Sequence, residues 1–110
     1  MVLNAFFENV VVYNVFYNLD VKVGERFTLV MDKPEEMTDV YVNNDKVLSH
    51  ETVGTDINLE ALAVGTSKIR IMKDEENATR VVREILVRIV DDIQRPATSL
   101  NASFGDPVNK

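Results

Sequence analysis

Ser49, His50 and Glu51 set a nucleophile, a base and an acid side by side, and His50 is the sole histidine of the chain. A catalytic triad needs those groups to converge on one point. Neighbours on an extended strand project to opposite faces, so adjacency in sequence argues against convergence. The expectation is an exposed loop histidine and no enzyme. Carboxylates gather at Asp74-Glu75-Glu76 and at Asp91-Asp92, but neither run has the spacing of an EF-hand loop. They read as solvated turns and strand ends. The chain has no cysteine, which excludes disulfides, thiolate metal sites and cysteine nucleophiles together. Asn77-Ala78-Thr79 and Asn101-Ala102-Ser103 are formal glycosylation sequons. No phosphate loop, dinucleotide fingerprint or zinc spacing occurs. Neither cofactor nor metal is expected, and functional weight shifts from chemistry to surfaces.

Charge narrows the partners for such a surface. The formal net charge is −6, with a sequence pI of about 4.7. A field of that sign repels phosphate backbones and anionic lipid. Lys68, Arg70, Lys73, Arg80, Arg83 and Arg88 cluster in the second half, but Asp74, Glu75, Glu76 and Glu84 are interleaved with them. Neither nucleic acid nor membrane is expected as a partner. A length of 110 residues, 45% of them hydrophobic and 27% charged, suits one compact domain with its own core.

The elements that must carry such a surface read as strands. The chain opens MVLNAFFENVVVYNVFYN. No Lys or Arg precedes Lys22, and Asn4, Glu8, Asn9, Asn14 and Asn18 interrupt the apolar residues, so neither a secretory signal nor a membrane span is expected. Residues 9–17 are dense in β-branched and aromatic types and predict a strand, with residues 1–8 as an arm or lead-in strand before it. Phe27, Leu29 and Met31 share one face of the next strand; Gly24 permits a turn before it and Pro34 ends it. Val40 and Val42 point one way, and Asn43-Asn44-Asp45 predicts a hairpin returning through Val47 and Leu48. Ile57, Leu59 and Ala61 alternate with polar residues, and so do Ile69 and Ile71. Residues 74–79 read as a turn. Residues 80–93 fit a helical stripe as well as a strand; strand is preferred, because the segment is β-branched and closes a hairpin with Ile69 to Met72. From Ile93 onward the chain reads as a tail.

Three stretches resemble immunoglobulin-like domains. VKVGERFTLVM is similar to the start of their second strand, TDVYVNNDKV to the third strand and its hairpin, and LEALAVGTSKIRIMKD to the L-x-x-G-x-x-x-I-x-I stretch of the penultimate strand. VVREILVRIVDD would then be the last strand. Ser67 stands where many such domains place a corner tyrosine, and Cys and Trp for a core pin are absent. The pattern, over residues 10–92, therefore resembles the bacterial and phage type. It implies an all-β immunoglobulin-like β-sandwich of about seven antiparallel strands over residues 9–92, with extended N- and C-terminal segments at 1–8 and 93–110. It brings no catalytic residues.

By analogy, such a sandwich made without a signal peptide fits a phage virion assembled in the host cytoplasm. The expected function is a non-enzymatic structural protein, a capsid decoration protein that binds the shell through edge strands and terminal arms, with a tail or head appendage as the nearest variant. The alternative is a carbohydrate-binding or adhesion module of a bacterial surface or phage tail protein. The expected partner is a capsid or other virion protein, and homo-oligomers are left open. Partner-binding residues are expected at Phe6, Phe7, Tyr13, Phe16 and Tyr17, with Leu100 and Phe104 in the tail; Tyr13 and Phe16 are equally good candidates for the domain's own core.

Overall fold

The computed structural model describes residues 2–8 and 12–93. Among these, the regular elements are β1 (Leu3–Phe7), β2 (Val12–Val15), β3 (Asn18–Lys22), β4 (Arg26–Met31), β5 (Asp39–Val42), β6 (Leu48–Val53), β7 (Asp56–Ala61), β8 (Gly65–Glu75) and β9 (Ala78–Val90), with a 3₁₀ turn at Pro34–Glu36. They form a five-stranded sheet ordered β2-β1-β4-β7-β6 and a four-stranded sheet ordered β3-β9-β8-β5. The two close over one apolar core, so the chain is an all-β sandwich.

Period-two patterning explains which residues meet inside. Phe27, Leu29 and Met31 on β4 and Ile57, Leu59 and Ala61 on β7 are buried from one sheet. Ile69 and Ile71 on β8 and Ile85, Val87 and Ile89 on β9 are buried from the other. Each fully buried Leu, Ile or Val contributes roughly 1.5–3 kcal/mol, so this double row is the main source of stability. Backbone geometry then closes the strands. Val53 pairs with Asp56 across Gly54 and Thr55, and Gly54 takes φ +64° there. Gly24, at φ +92°, turns the chain from β3 into β4 and donates its N–H to Ala61 O at 2.9 Å.

Several expectations are narrowed or corrected. Of the arm and the lead-in strand expected over residues 1–8, the described residues 2–8 take the strand. Val2 is tied to Asp32 through both its N–H and its carbonyl, and β1 lies between β2 and β4 with Leu3, Ala5 and Phe7 buried. The strand expected over residues 9–17 is interrupted, because Phe16 and Tyr17 carry the chain from one sheet to the other. Nine strands, not about seven, make up the described residues, and one pair is parallel: β3 runs alongside β9.

Asn43-Asn44-Asp45 does not make a hairpin either, since β5 pairs with β8 and β6 with β7 in the opposite sheet. The reason is a side-chain lock. The Oδ1 of Asn43 accepts from Lys68 N–H at 2.8 Å and from the buried Ser67 hydroxyl at 3.3 Å. Asn44 N–H donates to Ser67 Oγ at 3.2 Å, which holds the loop on β8 while the chain crosses over. The buried Ser67 thus serves as a polar anchor. Residues 80–93 are strand through Val90: Ile85, Val87 and Ile89 are buried while Leu86 and Arg88 are exposed, an alternation no helix would give. The turn expected over residues 74–79 shrinks to Glu76 and Asn77, because β8 and β9 pair out to Glu75 and Ala78.

Candidate functional site

The Ser49-His50-Glu51 run does not converge as a triad would need. His50 stands opposite Leu59 on β6, whereas Ser49 and Glu51 stand opposite Glu60 and Asn58 on the other face of the strand. Among the described residues no three His, Asp or Glu side chains are grouped to hold a metal ion. Among the described residues, most of the basic side chains of the second half are engaged within the domain. Arg70 pairs with Glu84, Arg80 with Glu75 and Glu36, and Arg88 with Asp20; Lys73 donates to Glu35 O.

What does stand out is the crossing between the sheets. Phe16 is 66% and Tyr17 74% exposed, although both are the kind of side chain a core would take up. Their backbone is tied down. Leu86 N–H donates to Tyr17 O at 2.8 Å, continuing the parallel β3–β9 ladder by one step. Arg83 donates to Phe16 O from Nε at 3.1 Å and from Nη2 at 2.6 Å, and Nη2 also reaches the carbonyl of Val15. Arg83 stands two residues before Ile85 on the inward row of β9, so its guanidinium lies at the seam where the chain crosses. Two aromatic rings are therefore presented on a backbone ordered in advance, with exposed Leu86 beside Tyr17.

Charged pairs flank this apolar corner on β9. Arg88 grips Asp20 with two hydrogen bonds of 2.8 and 3.1 Å, and Arg70 meets Glu84 at 2.7 Å. An apolar aromatic centre with a charged rim is the anatomy of a protein-binding patch. The Arg70 hydrogen bond holds the Glu84 carboxyl below the usual carboxylate range, with Lys68 adding to the effect. The sign follows directly. A depressed folded-state pKa gives stability that is present above the unfolded value and lost as pH falls through the folded one. Replacing Arg70 with Gln should move the Glu84 titration back up, as followed by side-chain carboxyl NMR; an unmoved titration would show that the pair does not persist in solution.

The expected partner residues do not all gather here. Phe16 and Tyr17 do. Phe7 is only 6% exposed and stacks on Phe27 with ring centroids 5.3 Å apart, while Tyr13 meets Phe7 edge-on at 5.7 Å. Both belong to the domain's own packing. Phe6 faces out from the five-stranded sheet, away from the corner. Leu100 and Phe104 lie outside the described residues. Sequence reasoning missed Arg83 and Leu86. The signal for Arg83 was a charge on the same alternating row as Ile85, Val87 and Ile89, a row that the strand reading of this segment already implied.

No protein-family model matches the chain, and a search of curated proteins finds none similar to it in sequence.

Proposed function

We propose that the protein is a non-enzymatic, protein-binding module of the immunoglobulin-like type, whose docking surface is the Phe16–Tyr17 corner with Leu86. The observation that carries the reading is the corner itself: two exposed aromatic rings on a backbone held by Arg83 and Leu86. Holding the rings in place beforehand lowers the ordering cost of association, and large aromatic side chains supply most of the energy at interface centres. Support for the immunoglobulin-like type comes from strand order. The neighbours β1-β4-β7-β6 facing β9-β8-β5 follow the A-B-E-D and G-F-C sheets of that fold.

Within this class the narrower proposal is a capsid decoration protein of a phage virion, with a shell protein as partner. The test is saturable co-sedimentation of the purified chain with empty shells assembled from whichever major capsid protein its coding neighbourhood supplies. Stoichiometric binding would support the virion setting. A coding neighbourhood without virion genes, or shells that sediment free of the protein, would overturn it.

A further inference from the structure

The outer face of the five-stranded sheet carries a second surface. Its ladder sets Phe6 opposite Thr28, Thr28 opposite Asn58, and Asn58 opposite Glu51. The next row holds Arg26, Glu60 and Ser49. Thr28, Asn58 and Ser49 are short, whereas Phe6, Arg26, Glu51 and Glu60 are long. The middle of the face is therefore sunk below its rim, leaving a depression of about 690 Å³. That volume falls within the range of small-ligand sites, roughly 300–1,000 Å³.

The groups around it are mixed and largely unengaged. The Thr28 hydroxyl donates to Asn58 Oδ1 at 2.8 Å, which orients the amide and leaves its nitrogen to donate elsewhere. Among the described residues, the Arg26 guanidinium has a 3.7 Å ion pair with Glu8, too long for a hydrogen bond. Among the described residues, Glu51, Glu60 and Ser49 have no hydrogen-bond partner for their side chains. Phe6 is 39% exposed at the wall, while Phe7, Phe27 and Leu59 beneath are buried. One apolar ring thus stands among donors and acceptors of both senses.

A sugar matches that combination, with C–H groups for the ring and hydroxyls that both donate and accept. Charge selects among sugars. Glu8, Glu51 and Glu60 outnumber Arg26, so the depression repels phosphate, sulfate and acidic sugars. We propose that it is a binding site for an uncharged oligosaccharide, with Phe6 as the stacking platform and Asn58, Arg26, Glu51 and Glu60 as the hydrogen-bonding ring. This goes beyond the protein-binding reading and does not depend on it. The corner follows Val15, which is opposite Leu3, and Leu3 is about 10 Å along β1 from Phe6.

The test is a titration of the ¹⁵N-labelled full chain with neutral cello-, xylo-, manno-, malto- and chito-oligosaccharides, and with an oligolysine peptide. At least one sugar should shift the amides of Phe6, Thr28, Asn58 and Glu60 in a saturable manner. Phe6→Ala and Asn58→Ala should each weaken that binding tenfold or more with an otherwise unchanged spectrum, while the Phe16→Ala/Tyr17→Ala double variant should bind as the parent does. Three outcomes would overturn the proposal: no sugar shifts these amides, the peptide alone does so, or the sugar shifts map to Phe16 and Tyr17. None of them bears on shell binding.

Discussion

Replacing Phe7 with Ala should lower folding stability by about 3–5 kcal/mol, the range for removing an aromatic side chain from a core. Phe7 is buried between Phe27, which it stacks on, and Tyr13, which meets it edge-on, so the truncation opens a cavity and dissolves two ring contacts at once. Its neighbour Phe6 points to the outer face and should cost no more than about 1 kcal/mol as Ala. Urea unfolding of the two variants reads β1's alternation directly. Deleting residues 1–7 should abolish folding altogether, because β1 joins β2 to β4 and its loss would leave the β4 edge and the core beneath it open. A free N-terminal arm would tolerate all three changes.

The second large effect belongs to Arg83. Replacing it with Met keeps most of the stem but removes every donor to the carbonyls of Val15 and Phe16. Charge-assisted hydrogen bonds of this kind contribute about 1.5–3 kcal/mol, with the lower end fitting a partly exposed site. Stability should therefore fall by about 2 kcal/mol. The more specific expectation is local. Hydrogen exchange at the Leu86 amide, which donates to Tyr17, should accelerate more than exchange in the β4–β7 ladder. Arg83→Lys should rescue only in part, since an ammonium cannot fork to two carbonyls. Uniform acceleration across both sheets would mean that Arg83 acts on the whole domain and not on the corner.

Much of the sandwich is legible in the sequence because strands have a period of two and one buried face. Phe27, Leu29 and Met31, then Ile57, Leu59 and Ala61, and then Ile69 and Ile71 announce both their conformation and their inward side. Less legible are the places where the chain changes sheets. Asn43-Asn44-Asp45 has the composition of a hairpin turn, and only the tertiary bonds to Ser67 and Lys68 make it a crossing. Phe16 and Tyr17 have the composition of a strand, and only the clamp from Arg83 and Leu86 makes them a corner. The depression on the sheet face is illegible for a similar reason. Phe6, Arg26, Glu51 and Asn58 come from four strands, and their grouping depends on ladder register that no local pattern encodes.

Shell affinity of the Phe16→Ala/Tyr17→Ala double variant is the measurement closest to the central claim. If the corner is the docking surface, the two rings together are interface anchors worth at least about 2 kcal/mol, so affinity should fall at least about thirtyfold. A control replacing exposed Val53 and Val64 with Ala, both away from the corner, should leave affinity unchanged. Parent-like binding by the Phe16→Ala/Tyr17→Ala variant, in a chain whose unfolding midpoint is also unchanged, would contradict the claim.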